Sequence, residues 1–324
     1  MKILQQPEEL SEAARPVVLA IGFFDGVHRG HVEVIRSARR LAEEAGGEAW
    51  VLTFDPHPAR VLRPALAPRL ITTTERRLGL IAGMGVAGTV VMPFTAELAR
   101  CEPDAFLARL AAACPRLAGL TTGASFTFGR GARGNPEALA RFGAGRGIRT
   151  VVVPPVLRGG APVSSSRVRQ AVADGRMEEA AGLLGRWFDV AGRVVAGRRV
   201  GRELGFPTAN VDTPNELMPA PGVYAVRARR NGAWEDAAAY YGRRPTFAPD
   251  AHHLLEVYLL DQAPDVDLYG CTLATAFLKH LRPDGRFESM DALRDRIGRD
   301  IADARAVLAG APPAALPPPP DGES

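Results

Sequence analysis

The chain has 324 residues, of which 46% are hydrophobic and 23% charged, so it is long enough for two domains with separate cores. It contains no apolar run of about 18 residues, which excludes a membrane-spanning helix. The formal net charge of +4 comes almost entirely from scattered arginines, since Lys2 and Lys279 are the only lysines. That dispersion argues against a nucleic-acid-binding surface.

The first half of the chain alternates apolar runs with amphipathic ones after a polar lead-in at residues 1–15, which lacks a signal core and so indicates a cytoplasmic protein. Strands are predicted at residues 17–22, 49–54, 88–93, 117–122 and 149–153. Helices are predicted at residues 32–45 and 103–113, from the capping box 72–75, and after the serine run 164–166. This alternation is typical of a parallel α/β sheet.

A glycine-rich turn, residues 22–31, joins the first predicted strand to a helix. Free backbone N–H groups at such a turn, together with the helix dipole, favour phosphate. His28 and His31 lie three residues apart, so both imidazoles are expected on one helix face, where they can donate to phosphate oxygens. Asp25 is either part of this site or only a turn residue.

The second predicted strand runs into Asp55-Pro56-His57-Pro58, which places polar side chains at the carboxyl edge of the sheet, where α/β proteins bind ligands. Three of the six histidines thus fall at two strand ends. A three-histidine zinc site is the alternative to phosphate chemistry, although it leaves the glycine turn unexplained. Asp55 alternatively serves only as a cap, and Ser164, Ser165 and Ser166 cap a helix, contact phosphate, or do both.

After a helix at residues 177–184 the pattern changes to short alternating runs, which predicts a small antiparallel barrel. Its strands are expected at residues 188–196, 222–229, 233–241, 253–261 and 272–278, followed by a helix capped by Ser289 that packs on the barrel. The boundaries predicted are residues 1–185 for the first domain and 186–310 for the second. Residues 311–324 are proline-rich and expected to be disordered.

Three features of the second half suggest phosphate and metal chemistry. A glycine-rich loop at residues 197–205 leads into Pro207-Thr208, and a threonine hydroxyl is a usable Mg²⁺ ligand beside nucleotide oxygens. Residues 243–247 form a basic loop. Glu256 lies in an apolar strand on one face with Leu254 and Tyr258, where an acid either has a role or is exposed on a half-solvated strand.

These motifs carry a family resemblance. G-F-F-D-G-V-H-R-G-H, F-D-P-H-P, F-T-F-G and S-S-S-R-V-R, in this order, resemble the adenylyltransferase half of bacterial bifunctional riboflavin kinase/FAD synthetases. G-R-E-L-G-F-P-T-A-N, G-R-R-P-T-F, L-E-V-Y-L-L-D, D-L-Y-G and the closing L-R-x-x-x-x-F resemble riboflavin kinase. The resemblance implies a Rossmann-like nucleotidyltransferase domain followed by a riboflavin kinase-like antiparallel β-barrel with a terminal helix.

The resemblance also implies roles for individual residues. His28 and His31 would stabilise phosphate charge, Glu256 would accept the ribityl hydroxyl proton, and Thr208 and Asn210 would bind Mg²⁺ with ATP. The remaining candidate substrate- and nucleotide-binding residues are Gly22, Phe24, Asp25, Gly26, Gly30, Asp55, His57, Ser125, Ser164, Ser165, Ser166, Arg167, Gly197, Gly201, Arg202, Gly205, Pro207 and Arg244. The implied partners are riboflavin, FMN and ATP, with FMN and FAD as products, in a monomer or weak homo-oligomer.

The chain departs from the family pattern at two positions beside the adenylyl site. Phe23 stands where the family usually has Asn, and Ser125 stands where it usually has Asp or Asn. A kinase with a degenerate first domain is therefore one alternative. The other is a flavin-nucleotide-binding regulator without turnover, against which the intact His28, His31, Thr208 and Glu256 argue.

Overall fold

The computed structural model describes residues 1–197, 204–230, 232–243, 253–261 and 268–310. These residues pack into two compact units. The first consists of Met1–Arg69 and Thr74–Ser164, and the second of the described residues of Leu70–Thr73 and Ser165–Ser324. Of the predicted site residues, Gly201, Arg202 and Arg244 lie outside the described residues, as does the proline-rich tail.

The described residues of the first unit form a six-stranded sheet in which every pairing is parallel. In chain order its strands are β1 Lys2–Leu4, β2 Val17–Ile21, β3 Glu48–Asp55, β4 Gly88–Pro93, β5 Leu117–Gly123 and β6 Arg149–Val153. The spatial order is β1-β4-β3-β2-β5-β6. The central strand β2 is buried along its whole length, as a strand covered on both faces must be.

Helices connect most of these strands along the chain. They are α1 Arg29–Glu44, α2 Pro58–Leu62, α3 Thr74–Ala82, α4 Ala96–Arg100, α5 Pro103–Ala113 and α6 Pro136–Ala144, and a short hairpin, β7 Leu157–Arg158 with β8 Ala161–Pro162, follows β6. Alternate residues of β2 belong to two separate cores, since Leu19 packs with Phe106 on one face and Ala20 packs with Ile35 on the other.

The five predicted strands of the first half are confirmed, but the prediction of a polar lead-in at residues 1–15 is wrong. Lys2–Leu4 pairs in parallel with β4, and the 3-10 helix Pro7–Glu12 buries Pro7 and Leu10. A three-residue edge strand is too short to show an alternating pattern of its own, so its partner strand determines it.

The longer segment of the second unit, from Ser165 onward, begins with two helices, α7 Ser165–Ala173 and α8 Met177–Leu184, followed by a barrel. The barrel strands are β9 Phe188–Val195, β10 Ala209–Asp212, β11 Gly222–Arg229, β12 Glu235–Arg243, β13 His253–Leu259 and β14 Thr272–Pro283. They close in the order β10-β13-β12-β11-β14-β9, with antiparallel pairings throughout. The five predicted strands are confirmed, whereas β10 was not predicted.

The terminal helix α9, Met290–Ala309, packs on the outside of the barrel. Ser289 caps it as predicted, accepting a hydrogen bond from the Ala292 N–H at 3.1 Å. Asp300 on this helix is 4% exposed and accepts hydrogen bonds from Arg282 at the end of β14 and from Arg296. The buried carboxylate is therefore paired on two sides, and it fixes α9 against β14.

The segment Leu70–Thr73 belongs to the second unit because the chain after β10 holds its backbone. The Leu70 N–H donates to the Glu216 carboxylate at 3.0 Å, and the Leu217 N–H donates to the Leu70 carbonyl at 3.2 Å. The Asn215 amide donates to the Ile71 carbonyl at 3.2 Å. These bonds satisfy backbone groups that would otherwise be costly to bury.

Candidate functional site

The turn between β2 and α1 has a tightly constrained backbone. Phe24, Gly26 and Val27 all have positive φ, at 59°, 78° and 40°, and the Val27 N–H donates to the Phe24 carbonyl at 3.0 Å. Positive φ is unfavourable for the two larger residues, and the burial of both side chains offsets its cost. A Cβ at Gly22 would lie 3.0 Å from the Phe24 ring, so this packing favours glycine there.

His28 and His31 meet at the N-terminus of α1. His28 is the N-cap residue, and its Nδ1 accepts the His31 backbone N–H at 3.3 Å. The two rings are stacked, with centroids 3.6 Å apart and an interplanar angle of 15°. Since Nδ1 accepts a hydrogen bond, the neutral His28 imidazole carries its proton on Nε2, where it is a donor. A Cβ at Gly30 would lie 3.2 Å from the His28 ring, so glycine leaves this ring its room.

A second histidine cap follows β3. His57 caps α2, and its Nδ1 accepts the Ala59 N–H at 3.0 Å, which again leaves Nε2 as the donor of the neutral ring. The Phe23 ring contacts His57 edge-on, with centroids 4.2 Å apart. Asp55 is the last residue of β3, and Asp25 is 2% exposed. The carboxyl ends of the neighbouring strands β2 and β3 therefore carry the predicted His and Asp residues.

The predicted serine and arginine residues fall in different parts of the fold. Ser125 is exposed in the turn after β5, and Ser164 is half-buried at the end of the first unit. Ser165, Ser166 and Arg167 form the first turn of α7 in the second unit. There the Arg167 Nη2 lies 3.8 Å from the Glu179 Oε1. Their approach to the histidines stays a prediction.

In the barrel, strand register places three polar residues side by side. Glu256 on β13 pairs with Asn210 on β10 and with Tyr240 on β12. The neighbours Leu255 and Val257 are buried in the barrel interior, so Glu256 faces outward, and it is half-buried there like Leu254 and Tyr258. Glu256 thus lies in the middle of a polar row on the outer face of the barrel.

The chain leading into β10 approaches this row closely. A Cβ at Gly197 would lie 2.2 Å from the Asn210 Nδ2, so a larger residue there would have to displace the Asn210 side chain. Gly205 has φ +89°, and Pro207 and Thr208 are half-buried immediately before β10. The described part of the predicted glycine loop therefore lies next to the Pro-Thr-Ala-Asn motif, with Gly197 beside Asn210.

Tyr240 is a polar neighbour of Glu256 that the sequence did not single out. Burial is the main cause that raises the pKa of Tyr240 above its ordinary value. The charge of Asp284, a hydrogen bond between Tyr240 and Asp284, and the charge of Glu256 raise it further. The hydroxyl therefore stays protonated and able to donate. Because Asp284 lies far along the chain, no local pattern could have indicated this contact.

Arg77 is a second residue that the sequence did not indicate. It is 2% exposed, and its guanidinium donates to the carbonyls of Phe23 and Phe54. The chain contains many scattered arginines, and nothing in the local sequence distinguishes Arg77 as the one that is buried and bonded to these carbonyls. Its surroundings explain the position of Phe23, whose ring lies between Arg77 and His57.

Across the described ranges, no group of three or more His, Cys, Asp or Glu side chains is arranged to hold a metal ion. These residues therefore do not form the three-histidine zinc site considered above. The same part of the chain contains no helix long and apolar enough to cross a membrane.

Comparisons with known proteins identify the family to which both halves of the chain are similar. A FAD synthetase family model matches residues 10–167, and a riboflavin kinase family model matches residues 184–308. The bifunctional riboflavin kinase/FMN adenylyltransferase of Pseudomonas fluorescens is 35% identical over 309 residues, which cover 95% of this chain and 98% of that protein. The protein of the same name from Escherichia coli K12 is 35% identical over 316 residues, covering 97% and 100%.

A solved structure shares the fold over nearly the whole chain. The crystal structure described as a macrolide-efflux protein from Streptococcus pneumoniae superposes with a TM-score of 0.83 at 29% identity. The superposition covers 94% of this chain and 98% of that one.

Proposed function

Since the chain belongs to the bifunctional riboflavin kinase/FMN adenylyltransferase family, we propose which of its residues perform each of the two reactions. The chain phosphorylates riboflavin with ATP to give FMN. It then joins FMN to the AMP part of a second ATP, giving FAD and pyrophosphate. The observation that carries the assignment is the pair of separate polar sites, one at the stacked histidines and one around Glu256.

Glu256 is the general base of the kinase reaction. Its half-buried carboxylate accepts the proton of the ribityl hydroxyl as that oxygen attacks the γ-phosphorus of ATP. Strand pairing places the Glu256 backbone between those of Asn210 and Tyr240. Positioning of this kind supplies much of the acceleration in phosphoryl transfer, because the enzyme makes no covalent bond to the phosphoryl group.

Thr208 and Asn210 suit Mg²⁺ bound together with ATP. A hydroxyl, an amide oxygen and a nearby carboxylate are the hard oxygen donors that Mg²⁺ prefers, and ATP phosphates complete such a set. The backbone of Gly197 lies close to the Asn210 carboxamide. When bound, the ion would offset charge on the phosphates. Gly197, Gly201, Arg202, Gly205, Pro207 and Arg244 are proposed to surround the nucleotide.

His28 and His31 stabilise phosphate charge in the adenylyl transfer. The FMN phosphate attacks the α-phosphorus of ATP, and pyrophosphate leaves. His28 offers an Nε2–H, and the N-terminus of α1 favours anions at the same place. The proposed binding residues around them are Gly22, Phe24, Asp25, Gly26, Gly30, Asp55, His57, Ser125, Ser164, Ser165, Ser166 and Arg167.

The two reactions are proposed to belong to residues 1–185 and 186–310, in keeping with the family matches at 10–167 and 184–308. A cytoplasmic location is proposed because ATP is the co-substrate and all three cysteines are free thiols. Cell fractionation tests the location. We propose a monomer or weak homo-oligomer, which sedimentation over a concentration series tests.

The first experiment is a time course with purified protein, riboflavin, ATP and Mg²⁺, with the flavins separated by chromatography. FMN should appear first and convert to FAD. FMN that accumulates without FAD, even when FMN is supplied directly, would contradict the adenylyl assignment and return attention to Phe23 and Ser125. Flavin binding without ATP consumption would contradict both assignments.

A further inference from the structure

The guanidinium of Arg77 joins two backbone segments of the proposed adenylyl site. Its Nη1 donates to the Phe23 carbonyl at 3.2 Å, and its Nη2 donates to the Phe54 carbonyl at 3.2 Å and to the Thr74 hydroxyl at 3.4 Å. Phe23 lies in the turn that leads to His28, and Phe54 lies just before the loop that carries His57. One rigid planar group thus bridges the turn that follows β2 and the end of β3, from which the loop of His57 continues.

The same side chain also acts on the ring of Phe23. The Arg77 guanidinium carbon lies 4.6 Å from the centroid of that ring, within the range of a cation–π contact. The other neighbour of the ring is His57, at 4.2 Å. A continuous series of contacts therefore runs from Arg77 through Phe23 to His57. The Thr53 hydroxyl also donates to the Phe23 carbonyl at 2.9 Å, so that oxygen accepts two hydrogen bonds.

Burying a charged guanidinium is costly unless opposite charges or hydrogen-bond acceptors lie nearby, and Arg77 has both. Burial lowers the pKa of Arg77, while the charges of Asp25 and Asp55 raise it. Guanidinium groups remain protonated in proteins, so the charge is present beneath both backbone segments. Asp25 lies in the turn after β2, and Asp55 is the last residue of β3, so both belong to the two backbone segments that Arg77 bridges. Hydrogen bonds and charge therefore act on the same two backbone segments.

We propose that Arg77 is a positioning residue of the adenylyl transfer, which fixes the spacing of the two backbone segments so that His57 and the His28–His31 pair act on one phosphate group. This inference rests on the proposed function of the first unit. It assigns Arg77 no contact with substrate. Misplacing a catalytic constellation by about 1 Å can cost roughly 10²-fold in rate, so loss of the bridge should mainly lower kcat.

The test compares Arg77→Lys and Arg77→Met with the wild-type protein. Lysine keeps the charge but lacks the planar fork, and methionine keeps only the apolar volume. Both should lower kcat for FAD formation from FMN by about 10²-fold, with much smaller changes in the KM values for FMN and ATP. FMN formation from riboflavin in the same protein is the internal control and should keep its wild-type kcat.

Arg229→Lys is the matched control. Arg229 is a buried arginine of the barrel, 5% exposed, whose guanidinium carbon lies 4.7 Å from the Trp234 ring centroid. Its substitution should leave kcat for FAD formation unchanged. If this control and the Arg77 variants lose FAD formation equally, the effect is general destabilisation and the proposal is overturned.

A folded Arg77 variant with wild-type kcat for FAD formation would also overturn it. If neither Arg77 variant folds, Phe23→Leu is the deciding variant, because it removes the ring between Arg77 and His57 and keeps the carbonyl acceptor. For Phe23→Leu, kcat for FAD formation should fall by less than the fall expected for Arg77→Lys. An unchanged kcat for FAD formation contradicts the proposal. Wild-type protein that forms no FAD from FMN would instead refute the proposed function.

Discussion

The two candidate sites hold their polar side chains by different means. At the sheet edge, His28 and His57 are cap residues on turns, and the position of each depends on backbone hydrogen bonds that its own ring accepts. On the barrel, Glu256 lies inside a strand, and pairing with two neighbouring strands fixes it. Substitution of a histidine therefore changes both chemistry and local structure, whereas substitution of Glu256 changes chemistry with little structural cost.

The residues that support the functional side chains also differ between the two sites. Around Glu256 the supporting residues are cross-strand partners, which the hydrogen-bond ladder places automatically. Around the histidines the support comes from a distant helix, through the buried Arg77. The barrel site should therefore tolerate changes in nearby loops better than the sheet-edge site does.

The largest expected effect is at Glu256. Glu256→Gln keeps the size of the side chain and removes the base, so FMN formation should fall by about 10²- to 10⁴-fold. FAD formation from supplied FMN should remain, and the unfolding midpoint in urea should change little. Glu235→Gln, on the neighbouring strand β12, is the control and should keep both activities. Loss of FAD formation in folded Glu256→Gln would show that the sites are not independent.

His31→Ala should have the next largest effect. Loss of one donor to a developing phosphate charge typically costs about 10²- to 10³-fold, so FAD formation should fall by that amount while FMN formation persists. Steady-state assays of each half-reaction measure this. Equal loss of both reactions in a folded protein would contradict the division between the units.

The chemical and structural roles of His28 can be separated. His28→Asn keeps a good N-cap acceptor and lacks the imidazole, so it should reduce FAD formation with little loss of stability. His28→Ala should lose the same activity and, in addition, about 1 kcal/mol of stability in urea unfolding, since the cap is gone. Equal stability of the two variants would mean that the Nδ1 cap contributes nothing.

Much of the fold could be predicted because its signals are local. The bounds of β4, β6, α5 and α8 follow directly from apolar runs that glycine, proline or capping residues end, and the structure has them at the predicted residues. The strand β10 escaped prediction because it has four residues directly after Pro207-Thr208, where the pattern indicated a ligand loop. Only closure of the barrel makes it a strand.

The sites divide in the same way. The spacing of His28 and His31 predicted two rings on one helix face, and the rings do lie together. Arg77 and Tyr240 could not be found from the sequence, because their partners are carbonyls or carboxylates that only the folded chain brings near. Hydrogen bonds between residues far apart along the chain produce no local sequence pattern from which they could be predicted.

A smaller effect is expected at Tyr240. Tyr240→Phe removes a hydrogen bond to the Asp284 carboxylate and should cost about 1 kcal/mol in urea unfolding. It should change kinase kinetics without altering FAD formation from FMN. Tyr241→Phe is the adjacent control, since that side chain is buried in the barrel and faces away from Glu256. Equal changes in kinase kinetics from the two variants would remove any special role for Tyr240.

The smallest effect concerns His280, which stacks on Tyr224 with ring centroids 4.7 Å apart, away from the row that contains Glu256. Burial lowers the pKa of His280, against a backbone hydrogen bond at Arg282 that raises it. The unfolded chain therefore binds a proton more readily than the folded one, so this residue's contribution to stability is present above about pH 6.5 and is lost as the pH falls through the folded-state pKa. Urea unfolding of wild type and His280→Phe between pH 5 and pH 8 measures the difference. The phenylalanine variant should lose less stability at the acidic end, and parallel curves for the two proteins would show that His280 does not titrate differently on folding.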